Sequence, residues 1–338
     1  MKYKFPKIDL HLHLDGAIAP RTLMDLARER GVEFKAETLE EFTKLVVVDP
    51  SCRSVNEYLE KFELPVNILQ DEQALYRAAY ELVERLDRES VAYAEIRFAP
   101  QLHTRKGMKQ TDAVNAVLEG IKKAELGRSV ETGLILCAMS LGDAAANKDA
   151  NLETVRIAHA MRNEGVAAVD LAGAEGLCPL SDFDYVFNRA KELSLNITCH
   201  AGDSQGPDTV RTAILEFGSR RIGHGHHIYE DAELCETAKQ LGVTLEICLT
   251  SNIQCATRKT YAAHPAKKLL DMGLAVTLNT DNPVIAGVSL ESEYDAAITK
   301  AGFTEQDLVA MNIFSAGAAF IPEQKKRGLI KTLETFIK

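Results

Sequence analysis

Lys7-Ile8-Asp9-Leu10-His11-Leu12-His13-Leu14-Asp15 alternates polar and apolar side chains, the period of a β-strand. His11 and His13 therefore share one face of the strand, with Leu10, Leu12 and Leu14 on the other. Two residues of strand rise about 7 Å, so both imidazoles are within reach of one metal ion. The same pattern also suits two ordinary histidines on a half-buried strand. The choice turns on where the other histidines and aspartates fall.

Downstream of this strand, Ala19-Pro20-Arg21 opens a helix that ends near Gly31. Residues 32–53 read as irregular and acidic, Val55–Phe62 resumes helical spacing, and residues 71–88 form a strongly amphipathic helix. About 75 residues thus precede the next strand, far more than a barrel connection needs. From there strands and helices alternate. The expected strands are Ala92–Phe98, Thr132–Met139, Ala167–Ala172, Asn196–Ala201, Arg221–His224, Thr244–Leu249 and Ala275–Asn279. The expected helices are 111–125, 152–164, 182–193, 207–217, 231–241 and 264–272. Pro207 suits a first helical turn, and Gly218, Gly242 and Gly273 suit C-caps. With the first strand this makes an α/β (β/α)₈ TIM-type barrel with a helical insertion after strand 1 and extra C-terminal helices beyond residue 288. No linker or low-complexity stretch interrupts it, so residues 1–338 are expected to form one domain.

Composition narrows the function. The 338 residues are 46% hydrophobic and 26% charged, enough for a large core, and the net charge of −10 argues against a nucleic-acid or anionic-membrane surface. Met1–Pro6 lead into the first strand without an apolar leader core. The seven cysteines are scattered, with no C-x-x-C pair, and read as reduced thiols of a cytoplasmic protein.

The polar residues then fall into place. His11 and His13 end strand 1, Cys199–Asp203, with His200 and Asp203, ends strand 5, His224 ends strand 6, and Asp281 and Asn282 end strand 8. These are C-terminal strand ends, which meet at one mouth of a barrel. Three histidines and a carboxylate suit Zn²⁺ with a position left for water, whose pKa would fall toward about 7. Elsewhere, His103 is expected at the surface or rim, and His159 and His264 as structural or solvated. His226 or His227 is expected to support the strand-6 motif, and Glu291-Ser292-Glu293 and Lys325-Lys326-Arg327 to be solvated helix faces.

Six stretches in order, Lys7–Ile18 (KIDLHLHLDGAI), Val169–Glu175 (VDLAGAE), His200–Gly202 (HAG), Arg221–Gly225 (RIGHG), Thr250–Asn252 (TSN) and Asn279–Pro283 (NTDNP), give the chain its resemblance to the adenosine deaminase family of the amidohydrolase superfamily. The resemblance covers nearly the whole chain. It implies one Zn²⁺ per chain on His11, His13, His200 and Asp281, and a His224 that orients or deprotonates the zinc-activated water. It further implies substrate contacts from His13, Asp15 (ribose side), Gly173 (N–H to purine N3) and Asn282 (to N7), with the acid that protonates N1 at position 203. The implied reaction is hydrolytic deamination of adenosine or 2′-deoxyadenosine, with a small purine nucleoside and water as partners, and with Asp203, His224 and Asp281 as catalytic residues.

Two positions depart from the family pattern. Asn282 stands where a second Asp is frequent, and its amide donates to N7 without needing a proton. Asp203 stands where Glu is usual and is one methylene, about 1.3 Å, shorter. That shortfall leaves three routes to N1: a shifted backbone, proton delivery by Glu175 or water, or weak activity. It also keeps two alternatives open, a deaminase of another 6-aminopurine (adenine, an N6-substituted purine or a nucleotide) and a purine-binding protein without turnover.

Overall fold

The computed structural model describes residues 2–337. Eight parallel strands, β1 (Lys7–His13), β2 (Val91–Phe98), β3 (Glu131–Ser140), β4 (Val166–Gly173), β5 (Thr198–Ala201), β6 (Arg221–His224), β7 (Thr244–Ile247) and β8 (Ala275–Leu278), alternate with helices. They pair as β1-β2-β3-β4 and β5-β6-β7-β8. Two bridges join the halves: Leu12 to Asp281 and Val169 to Ile197. The Asp281 N–H donates to the His11 carbonyl at 2.8 Å and the His13 N–H to the Asp281 carbonyl at 2.7 Å. The α/β barrel expected from the alternation is therefore the observed one.

β1 is buried along almost its whole length, because helices cover the outside and side chains fill the inside. The helix 72–88 is capped by Asp71, which accepts the Ala74 N–H at 2.9 Å, and buries Leu75, Ala79, Leu82 and Leu86. Helices 290–301, 305–318 and 323–334 complete the C-terminal part. One of them is tied to β1 by Asn312, whose Oδ1 accepts the Ile8 N–H at 2.8 Å.

The structure corrects the sequence reading in three places. Residues 32–53 are not irregular throughout, since Leu39–Val46 is a helix held by a capping box of Thr38 and Glu41. β7 stops at Ile247 rather than Leu249, because Leu249–Gln254 is a short buried helix. Helix 207–217 is α-helical only over Pro207–Arg211 and widens to a π-turn at Thr212–Glu216. Gly218, Gly242 and Gly273 do take positive φ at helix ends. No helix among the described residues is long and apolar enough to cross a membrane.

Candidate metal centre

The barrel core beneath the mouth is charged. Arg97 reaches Asp170 at 2.9 Å, Glu246 at 2.8 Å and the Leu10 carbonyl at 2.6 Å. Arg221 reaches Glu246 at 2.6 Å, Glu95, and the same Leu10 carbonyl at 3.1 Å. All five side chains are buried. Buried charges are costly unless paired and hydrogen-bonded, and here each is. Burial alone would raise the Asp170 and Glu246 carboxyls. Arg221 and Arg97 beside Glu246, and His200 and Arg97 beside Asp170, instead hold both below the usual carboxylate range.

These carboxylates orient the histidines above them. His11 Nδ1 lies 3.0 Å from Glu246 Oε2, and His200 Nδ1 lies 3.0 Å from Asp170 Oδ2. Each imidazole thus donates through Nδ1 and presents a lone pair at Nε2. Burial pushes the pKa of His11 and His13 down, favouring the neutral form that binds metals.

The Nε2 atoms converge. His13 Nε2 is 3.3 Å from both His11 Nε2 and His200 Nε2, and Asp281 Oδ1 is 3.5 Å from His11 Nε2 and 3.4 Å from His13 Nε2. Tetrahedral donors at about 2.0–2.1 Å from a metal lie about 3.3 Å apart. Lone pairs aimed at one another without an intervening proton repel, so this donor set fits a divalent cation at its centre. His224 groups with His11 and Asp281. Its Nδ1 accepts from Asn252 Nδ2 at 3.0 Å, which leaves the ring proton on Nε2. His224 and Asp281 both sit at left-handed φ, 60° and 59°, a local cost on the order of 1 kcal/mol each that is typical of functional positions.

A cavity of about 520 Å³ opens beside this cluster, lined by His13, Asp15, Gly173, Asp203, His224 and Asn282. The insertion supplies an apolar wall from Val55, Leu59, Phe62 and Val66. Asp15 is buried with Oδ1 unpartnered, as is Asn282 Oδ1. Burial pushes the Asp15 carboxyl up to about 6. Asp203 is held the other way: burial raises it, but His224 and the hydrogen bond from His226 outweigh this and keep it below the usual range.

A family-level sequence model described as "Adenosine deaminase" matches residues 6–336. The adenosine deaminase of Haemophilus ducreyi is 38% identical over 331 residues, covering 97% of this chain and 95% of that protein. The chain belongs to the adenosine deaminase family. Among solved structures, adenine deaminase from Arthrobacter aurescens superposes with a TM-score of 0.90 at 26% identity, over 98% of this chain and 99% of that one. The N6-methyl-AMP deaminase of Arabidopsis thaliana superposes with a TM-score of 0.83 at 28% identity, over 98% and 97%.

All the residues that the family resemblance singles out lie at this mouth. Others lie elsewhere than the sequence reading expects. His103 is buried, not at the rim, with Nδ1 at 2.8 Å from the Leu69 carbonyl. His264 takes the structural of the two roles expected for it, buried with Nε2 at 3.1 Å from Asn252 Oδ1, and stands just before its helix rather than at its start. Glu293 is no solvated residue: it is buried and accepts from the Thr250 N–H at 3.2 Å and from its hydroxyl. Glu175 is unsuited to deliver a proton to N1. Its carboxylate accepts the N–H groups of Gly202 at 2.7 Å, Asp203 at 3.0 Å, Ser204 at 2.8 Å and Gln205 at 3.0 Å, and so holds the loop that carries Asp203.

Sequence reasoning missed Glu246, Arg97, Ser251 and the supporting role of Asp170. One signal was available. Each of Arg97, Asp170 and Glu246 interrupts an apolar run that reads as a buried strand, and a buried charge needs a partner. Ser251, whose Oγ donates to Asp281 Oδ2 at 2.5 Å, carries no such signal.

Proposed function

We propose that the chain hydrolyses adenosine and 2′-deoxyadenosine to inosine and 2′-deoxyinosine with release of ammonia, using one Zn²⁺ held by His11, His13, His200 and Asp281. The observation that supports this best is the convergence on His13 Nε2 of donor atoms from His11, His200 and Asp281 at 3.3–3.4 Å, the spacing of tetrahedral donors, beside a cavity lined by Asp203, Gly173 and Asn282. Imidazole and carboxylate donors suit zinc, which supplies the Lewis acidity that makes a water ionisable near neutral pH.

The chain's own residues do the rest. Oxygen adds to C6 while N1 takes a proton; the remaining hydroxyl proton passes to the amine, and the C6–N bond breaks with loss of ammonia. His224, protonated at Nε2, donates to the attacking oxygen and orients it. Asp203, its carboxyl held below the usual range, takes the water's proton and passes it to N1, a transfer typically worth 10²–10⁴-fold. The Gly173 N–H and the Asn282 amide fix the ring. Asp15, buried and short of a partner, takes a ribose hydroxyl.

Among the described residues the cavity lining contains no Lys or Arg but includes Asp15, Glu175, Asp203 and Asp281. A 5′-phosphate would add a dianion to these carboxylates with no cation to meet it, so nucleosides are favoured over nucleotides. Free adenine would leave Asp15 unpaired. The seven cysteines are all unpaired thiols, which supports a reducing, cytoplasmic setting.

The test is a substrate panel with the zinc-loaded enzyme, followed by loss of purine absorbance. Adenosine and 2′-deoxyadenosine are expected to exceed adenine and AMP in kcat/KM by on the order of 10² or more. Adenine or AMP as the better substrate, or no turnover of adenosine at high enzyme concentration, overturns the reading.

A further inference from the structure

Asp203 uses its two carboxyl oxygens differently. Oδ1 accepts from Asn252 Nδ2 at 2.7 Å, Thr257 Oγ1 at 3.0 Å and His226 Nε2 at 3.2 Å. Oδ2 accepts no hydrogen bond from the described residues, and Asp203 lines the cavity. A carboxylate oxygen has about two lone pairs. Three donors exhaust Oδ1, so an added proton belongs on Oδ2.

The donors are themselves fixed from behind. Arg258 Nε donates to His226 Nδ1 at 2.9 Å. A guanidinium donates and never accepts, so Nδ1 holds the lone pair and the neutral ring carries its proton on Nε2, aimed at Asp203. His226 is fully buried, and burial pushes its pKa down to about 4, in keeping with a neutral ring. Thr257 Oγ1 lies 3.1 Å from the Asn252 carbonyl and 3.4 Å from His226 Nε2, which joins the three donors into one cluster. None of His226, Thr257 and Arg258 belongs to the groups of possible metal donors.

We infer that Arg258, His226 and Thr257 form a positioning relay that turns the Asp203 carboxyl so that Oδ2, the oxygen able to carry a proton, meets N1 of the purine. His226 is the central positioning residue. The inference rests on the reading of this cavity as an aminopurine hydrolase site and deepens it, because it explains how an aspartate does the work of a longer acid. Fixing one oxygen from three sides removes the torsional freedom that would otherwise let a short carboxyl turn away from the ring.

The test compares His226→Leu, His226→Gln and Asp203→Asn, singly and with His226→Leu and Asp203→Asn combined, in the zinc-loaded enzyme with adenosine. His226→Leu is expected to lower kcat by about 10- to 100-fold, the scale of a misplaced catalytic group, with KM little changed. His226→Gln, whose amide nitrogen lies near the position of imidazole Nε2, is expected to recover most of the loss. In the Asp203→Asn background, His226→Leu is expected to cost nothing further. An equal loss in both backgrounds, or a raised KM with kcat intact, overturns the relay. A second measurement needs no turnover: ¹⁵N NMR of the ring nitrogens is expected to show His226 as the neutral Nε2–H tautomer, with a resonance that moves on Asp203→Asn. An Nδ1–H tautomer, or a resonance indifferent to that change, rejects the relay. If the wild-type enzyme fails to turn over adenosine, the functional reading falls and the NMR result alone decides the relay.

Discussion

His13 donates its backbone N–H to the Asp281 carbonyl across 2.7 Å, so the seam that closes the barrel is also the seam that joins two proposed zinc ligands. The chain beyond β1 continues this alignment. The Val284 N–H donates to the Gly16 carbonyl at 2.9 Å, and a Cβ on Gly16 would lie 2.1 Å from Asn282 Oδ1 and 2.7 Å from its Cβ. Gly16 is small because Asn282 occupies that space.

Gly16→Ala therefore pushes Asn282 off its position against the ring. A shift of about 1 Å in a substrate-positioning group costs on the order of 10² in rate. Steady-state kinetics are expected to show kcat/KM for adenosine down by about 10- to 100-fold, with bound zinc unchanged by elemental analysis. Unaltered kcat/KM would mean that Asn282 does not touch the substrate.

Glu246 accepts from His11, Arg97 and Arg221 at once. Glu246→Gln removes the charge on which all three depend. Loss of a partner behind a metal-binding histidine typically weakens metal affinity by about 10- to 100-fold, and the charge-assisted hydrogen bonds that Arg97 and Arg221 lose, while each keeps Asp170 or Glu95, cost about 1.5–3 kcal/mol of stability. Competition with a chromophoric chelator and denaturant unfolding measure the two effects. A variant with wild-type zinc affinity but lowered stability would assign Glu246 to the arginines alone.

The ligand set and the barrel were legible because they rest on local, repeated signals. Alternation in Leu10–Leu14, strand-to-helix switches, and polar residues at strand ends are all readable one segment at a time. What escaped depends on side chains meeting across the barrel. Glu246 and His11 are 235 residues apart, and nothing in either segment alone names its partner. Helix 249–254 was hidden for a related reason: all six of its residues are buried, among them the polar Thr250, Ser251, Asn252 and Gln254, so no apolar stripe marks a buried face at helical period. His103 and Glu293 were read as exposed because each is polar, whereas the Leu69 carbonyl and the Thr250 N–H provide the hydrogen bonds that let them go inside.

Glu293 makes stability fall as pH rises from about 4.5 to about 7. Burial pushes its carboxyl up to about 7 from an ordinary 4.5. A raised folded pKa gives a contribution that is complete below the unfolded value and is lost as pH rises through the folded one. Glu293→Gln keeps an acceptor for Thr250 and removes the ionisation. Relative to wild type, the variant is expected to gain stability between pH 5 and pH 8, by on the order of 3 kcal/mol. Chemical unfolding at the two pH values measures it, and parallel profiles would show that Glu293 is already ionised in the folded protein at pH 5.

His103 acts in nearly the same window with the opposite sign. Its ring packs 5.7 Å from that of Phe98, its Nδ1 bonds the Leu69 carbonyl, and its Nε2 has no partner. Burial pushes its pKa down to about 4 from an ordinary 6.5. Above pH 6.5 both the folded and unfolded chains hold it neutral, and it adds no pH dependence. As pH falls from 6.5 toward 4, the unfolded chain takes up a proton that the folded protein refuses, so stability falls with pH, by on the order of 3 kcal/mol over the whole window. His103→Asn retains a donor near the position of Nδ1 and cannot titrate. Unfolding at pH 7 and pH 4.5 is expected to show a smaller acid loss in the variant than in wild type. Equal losses would mean that His103 is protonated in the folded protein, which would require a partner for Nε2.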